Sequence, residues 1–235
     1  MRPDNRNNDE LRKIKITRNF ISTSPGAVLM EAGRLKVLCT ANVEESIPPF
    51  LKNTGKGWLT AEYAMLPGST LQRKQRDKAG KVDGRSVEIQ RLIGRALRSV
   101  VDMELLGERT IWIDCDVLEA DGGTRTASIT ASFLAVSDLV KSMLKEKRIM
   151  LNPIKDHVAA VSVGVIKGTP TLDLCYEEDF AAEVDMNVVM TKSGHIVEIQ
   201  GTAEHKPFSE QTLNELLALA KKGLNDIFRI QTELI

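Results

Sequence analysis

Asp121-Gly122-Gly123-Thr124-Arg125-Thr126 lies directly after a strand-like pattern and directly before a helical one. Adjacent glycines let the backbone come close to a ligand. A threonine hydroxyl and an arginine fork then sit where a helix N-terminus presents unpaired N–H groups. That combination suits a phosphate. Upstream, Arg85 follows Gly84 and opens a second helical pattern, Gly84-Arg85-Ser86-Val87-Glu88-Ile89-Gln90-Arg91-Leu92-Ile93. A free phosphate needs several converging charge-assisted donors, and two guanidinium forks with a helix N-terminus can supply them. Arg85, Gly123, Thr124 and Arg125 are therefore candidate phosphate-binding residues. Read singly, Arg85 is a solvated helix-start arginine and the glycine pair a plain turn.

Asp179 and Asp185 are six residues apart, the first ending a loop and the second opening the strand Asp185-Met186-Asn187-Val188-Val189-Met190. Two carboxylates close in space can hold a magnesium ion, or one can be raised in pKa to donate a proton. Asp114 and Asp116 share a strand face and compete for the metal role. Trp112 and Leu118 on that face favour a structural reading. Between Gln72 and Arg85 stand six basic residues, among them Arg73 and Arg76, against only Asp77 and Asp83. Such a non-periodic, glycine-containing stretch reads as a mobile loop suited to RNA backbone phosphates, with little base readout. A solvated surface loop is the alternative.

The chain has 235 residues, enough for one large domain or two small ones with a substantial core. Its 32 basic residues balance 32 acidic ones, so any electrostatic footprint for a polyanion must be local. Aromatics are only 4%, which argues against a broad base-stacking platform. Cys39, Cys115 and Cys175 each fall in an apolar strand-like run and read as buried thiols in a reducing cytosol. His157, His195 and His205 lack metal-ligand spacing, and His195 reads as a solvated loop residue. The polar N-terminus and the lack of any run of ~20 apolar residues point to a cytoplasmic protein with no membrane span.

Alternation predicts strands at Thr110–Leu118, around Val161–Val165, at Thr171–Cys175, and in a hairpin of Asp185–Thr191 with Ile196–Thr202. Leu35–Val43 is a more uniformly apolar run of strand length. Apolar stripes predict helices through Ile89–Val100 and Leu213–Ile227, the latter capped by Ser209. A third helix, Ala127–Lys147, ends in a basic turn. Strands cluster between helices without strict β-α-β alternation, so the fold class is α+β, with helices packed on mixed sheets. The simplest organisation is one unit, 1–235, with halves of about 1–150 and 151–235.

In order and context these blocks resemble ribonuclease PH, a family of phosphate-dependent exoribonucleases. The resemblance extends through Arg2 to Arg6, Gly57-Trp58-Leu59-Thr60-Ala61-Glu62-Tyr63, Met65-Leu66-Pro67, Glu198-Ile199-Gln200-Gly201-Thr202-Ala203-Glu204 and Pro207-Phe208-Ser209. It implies a ribosomal-protein-S5-domain-2-like fold and a homo-hexameric ring, a trimer of dimers. It also implies phosphorolytic trimming of transfer-RNA precursor 3′ ends, with phosphate as co-substrate and magnesium as cofactor. By the same resemblance, Arg85 and Gly123-Thr124-Arg125 bind phosphate, Asp179 and Asp185 are catalytic and magnesium-associated, and Arg73 and Arg76 contact transfer RNA. Two departures stand out: Gly68 where the family has an arginine, and Asn5 where it has a glycine. Two rival readings are a non-catalytic RNA-binding subunit of an exosome-like ring and a hydrolytic exonuclease.

Overall fold

The computed structural model describes residues 2–76, 83–204 and 206–235. Five strands form the first sheet: β1 (Ile14–Arg18), β2 (Gly26–Ala32), β3 (Leu35–Glu44), β4 (Trp58–Met65) and β5 (Thr110–Glu119). Their order is β1-β2-β3-β5-β4, antiparallel except for the parallel β4–β5 pair. A parallel pair needs a crossover, here supplied by α1 (Gly84–Val100) and the short α2 (Met103–Leu106). The buried face of α1 carries Ile89, Leu92, Ile93, Ala96, Leu97 and Val100, the stripe its 3.6-residue period predicts.

From the end of β5 the chain turns into α3 (Thr124–Lys145), which packs on β2 and β3 below and on β6 (Val158–Ile166) above. Covered on both sides, α3 is buried almost throughout. Its length and composition would suffice to cross a membrane, contrary to the expectation that no apolar run reaches that size. Burial between two sheets accounts for this apolarity.

The second sheet runs β7-β6-β8-β9, with β7 (Thr169–Leu172), β8 (Val184–Thr191) and β9 (Ile196–Ala203), antiparallel throughout. Period 2 divides the faces of β6. Val158 and Ala160 join the core around α3, while Ala159, Val161 and Val163 pack against α5 (Glu210–Leu234). Ser209 caps α5, its hydroxyl accepting from Thr212 N at 3.1 Å. The layers are thus sheet, helices, sheet, helix, an α+β fold as expected.

Three expectations need correction. The strand expected at Thr171–Cys175 ends at Leu172, where Asp173 takes the left-handed φ of 53° and bends the chain away after a last bond from its N–H to Ser162 O. Asp179 lies not in a loop but in a one-turn helix, α4 (Tyr176–Phe180). Strands β1, β2 and β4 add to those expected. The basic stretch is described only in part, since Asp77, Lys78 and Lys81 fall outside the described residues, as does His205. Asn5, at the family's glycine position, adopts φ 62°, a conformation asparagine tolerates better than most residues.

Candidate active site

The turn between β5 and α3 is built from two left-handed residues, Gly122 at φ 68° and Gly123 at φ 66°. A Cβ on Gly122 would lie 2.5 Å from the Leu174 carbonyl oxygen, so glycine at the first of these two positions is dictated by backbone packing. Gly123 is the N-cap of α3 and no side chain caps the helix, which leaves its first N–H groups available to an anion. Thr124 follows, with its Oγ1 accepting a 2.9 Å hydrogen bond from the buried Tyr63 hydroxyl. Burial raises the Tyr63 pKa, so the phenol stays a donor to Thr124. Tyr63 sits on β4. Its spacing with Leu59 and Ala61 marks it as inward-facing, which was a usable signal.

Arg125 Nη1 donates to Gln200 Oε1 at 2.7 Å and to Glu88 Oε1 at 3.1 Å. Gln200 Nε2 donates in turn to Glu88 Oε1 (3.1 Å) and Glu198 Oε1 (3.0 Å), and Glu198 receives the fork of Arg95 at 2.9 and 2.7 Å. Arg125 is thereby held from behind by α1 and β9, and its Nε and Nη2 make no hydrogen bond among the described residues. Arg85, in the first turn of α1, makes none at all among them.

The carboxylates come from the second sheet and its connection. Asp185 on β8 points to the α3 side of the sheet, as its even spacing from Val189, four residues on, requires. Its Oδ1 is buried without a hydrogen-bond partner among the described residues. Burial, then the neighbouring Asp179, push the Asp185 carboxyl up to about 6 against the opposing pull of Arg125 and Arg85. Burial likewise raises Asp179, opposed by Arg85 and Arg125. Both acids thus feel both arginines: the structure brings Arg85, Arg125, Asp179 and Asp185 together. Glu204 acts on both acids as well.

What fixes α4, and with it Asp179, is an arginine that lies far away in sequence. Arg2 grips Glu178 with both arms, at 2.7 and 2.8 Å, in a buried pair, and Glu178 Oε2 also accepts from Cys175 N at 3.0 Å. Burial alone would raise the Glu178 carboxyl, but Arg2 and the Cys175 N–H hold it below its ordinary value. Beside it, Arg12 donates to Asp173 at 2.6 and 3.0 Å and to the Asp121 carbonyl at the start of the Gly122-Gly123 turn. Arg12 carried no sequence signal of this role.

Asp114 and Asp116 lie on the other face of β5, half-buried, each raised by desolvation. Asp114 pairs in register with Thr40 and Glu62, away from α3. Arg73 and Arg76 are exposed, in the segment that follows β4. All three cysteines are buried, Cys39 and Cys115 facing each other across the β3–β5 register at 3.5 Å.

The family model described as 3′ exoribonuclease family, domain 1, matches residues 10–141, and the one for domain 2 matches residues 156–223. Ribonuclease PH of Bacillus subtilis (strain 168) is 57% identical over 237 residues, covering 100% of this chain and 97% of the relative. Among solved structures, the Archaeoglobus fulgidus exosome with RNA bound to the active site superposes with a TM-score of 0.81 at 20% identity, covering 98% of this chain and 92% of that one. An archaeal exosome core gives 0.76 at 20% identity, covering 99% and 90%. At that identity the structures speak for the fold. The two family models and the full-length relative speak for descent: this chain belongs to the ribonuclease PH family of 3′ exoribonucleases.

Proposed function

We propose that this chain shortens RNA from its 3′ end by phosphorolysis. The observation that carries the reading is the joining of two helix-start arginines to two raised carboxylates around an uncapped helix N-terminus. RNA is the substrate and inorganic phosphate the co-substrate. Phosphate held by Arg85, Thr124, Arg125 and the Gly123 turn attacks the phosphorus of the last phosphodiester. The bond from that phosphorus to the 3′ oxygen of the preceding nucleotide breaks, its electron pair stays on that oxygen, and a proton restores the hydroxyl. The products are a nucleoside diphosphate and an RNA one nucleotide shorter. Asp179 or Asp185 supplies the proton. The bond made resembles the bond broken, so nucleoside diphosphates in excess drive nucleotide addition.

Two mutually repelling carboxylates, one with an unpartnered buried oxygen, fit a divalent cation that keeps most of its waters. Among the described residues no group of three or more His, Cys, Asp or Glu side chains could hold a metal, so a cation here would rest on no more than this pair of acidic side chains among them. Magnesium held by Asp179 and Asp185 would supply charge neutralisation to the transferring phosphoryl group.

Transfer-RNA precursors are the proposed substrate, gripped by Arg73 and Arg76, and a homo-hexameric ring in the cytoplasm is the proposed assembly and place. The chain is read as one unit, 1–235, with halves of about 1–150 and 151–235. The family resemblance and exposed guanidinium groups support these points. Incubating tailed RNA with and without phosphate tests the central claim. Nucleoside diphosphates formed only with phosphate are expected. Monophosphates would indicate hydrolysis, and no release at all a non-catalytic subunit.

A further inference from the structure

Tyr176, Asp179 and Phe180 fall at i, i+3 and i+4 of α4 and so share one helical face. Tyr176 is 53% exposed and Phe180 83%, with ring centroids 6.4 Å apart. The opposite side of the helix is anchored by the Glu178–Arg2 pair, which fixes the exposed face in place. Tyr176 also lines a cavity of about 590 Å³, within the size range of ligand sites. Across from it the wall is Gly68, Ser69, Thr70, Leu71 and Gln72, the segment that runs directly into Arg73. Asp121 ties this cavity to the phosphate turn. Its Oδ1 accepts from Arg34 Nη2 at 3.0 Å and from Tyr176 N at 3.4 Å, and the chain continues into Gly122-Gly123.

Of the four aromatic rings exposed among the described residues of a chain with only 4% aromatics, these two flank a carboxylate of the proposed reaction site. The ligand that must reach Asp179 is the 3′ tail of RNA, and every base has a face that an aromatic ring can stack on. We propose that Tyr176 and Phe180 form a stacking subsite for bases of the RNA 3′ tail, with the cavity between Tyr176 and Gly68–Gln72 receiving one base. The subsite rests on the phosphorolytic reading above and deepens it. Stacking is indifferent to base identity, which suits an enzyme that removes whatever nucleotide comes last.

The test compares wild type with Tyr176→Leu, Phe180→Leu, the double variant and Tyr176→Phe, on a short unstructured RNA and on the same RNA with an abasic tail. For the double variant KM for the normal RNA rises roughly fivefold to 150-fold, the range that loss of one stacked base produces. Its KM for phosphate and kcat stay within about twofold. Wild type handles the abasic tail as poorly as the double variant handles the normal one, and Tyr176→Phe behaves as wild type. Equal KM for RNA in wild type and the leucine variants would overturn the subsite. So would a change in oligomer mass by sedimentation in those variants, which would assign the rings to a subunit contact. Wild type that releases no nucleoside diphosphate at all would instead refute the phosphorolytic reading.

Discussion

At the scale of single residues, the proposed reaction separates donors for phosphate from acids that manage charge. In the proposed reaction Arg85 and Arg125 face the attacking phosphate, so Arg85→Ala and Arg125→Ala should each lower phosphorolysis by roughly a hundredfold to a thousandfold. RNA binding should persist, because neither fork is needed for the polymer. Near-normal turnover of either variant at saturating RNA and phosphate would remove it from the site. Asp185→Asn keeps shape and loses charge, so it should silence the enzyme by a comparable factor, whereas Asp114→Asn, on the far face of β5, should not. Stability supplies an independent readout. The folded carboxyl of Asp185 is raised from 3.8 to about 6, so the native state binds protons more tightly than the unfolded chain. In magnesium-free protein this destabilises the fold fully above about pH 6 and not at all below about pH 4. Asp185→Asn should therefore raise Tm relative to the parent at neutral pH, with the gap closing as pH falls through that window. A gap independent of pH would show that Asp185 is not the group being relieved.

Among elements, how much could be read from sequence depended on whether the signal was periodic or long-range. The stripe of α1 and the alternation of β5 were legible because one face of each is buried and the other is not. Strand β2 gave no alternation, since nearly all of Gly26–Ala32 is buried. Helix α4, at five residues, is too short to show a period. Arg85, Arg125, Asp179 and Asp185 could be picked out as residues at element ends, yet nothing local to them announced that Arg2, 176 positions away, braces the helix that bears Asp179. The tie between α1, α3 and β9 was equally hidden, and it carries a prediction. Gln200 fills Arg125 Nη1 while donating to Glu88, so its amide orients the guanidinium without touching phosphate. Gln200→Ala should raise KM for phosphate several-fold to tenfold and leave KM for RNA near its starting value. Gln200→Glu keeps the acceptor but sets a third carboxylate against Glu88 and Glu198, so it should not restore phosphate affinity. If Gln200→Ala left phosphate KM unaltered, β9 would merely pack beside the site.

On the scale of the whole molecule, the site lies at a seam. The two arginines come from α1 and α3, Asp185 from the second sheet and Asp179 from α4 in its connection, with α3 buried between the sheets and carrying Thr124 and Arg125 at its tip. Catalysis then depends on packing that neither sheet provides alone. RNA must also be gripped beyond the seam, and zero net charge means that the grip is local. Arg73 and Arg76 are exposed just past the Gly68–Gln72 wall, while Gly68 offers no charge where the family has an arginine. Each phosphate contact contributes about −0.9 to the slope of log affinity against log salt on duplex nucleic acid. Arg73→Ala with Arg76→Ala should therefore weaken binding of a transfer-RNA precursor and flatten that slope by up to about 1.8, while short unstructured RNA is still degraded. Gly68→Arg should act in the opposite sense. A Cβ there meets nothing within 4 Å, so the backbone accepts the side chain without displacement. Tighter precursor binding and a slope steeper by about one contact are expected from gel-shift titrations at three salt concentrations. A double variant with wild-type affinity and slope would place the grip on another surface. If Gly68→Arg also had no effect, the segment after β4 would be solvent-facing chain with no part in holding RNA.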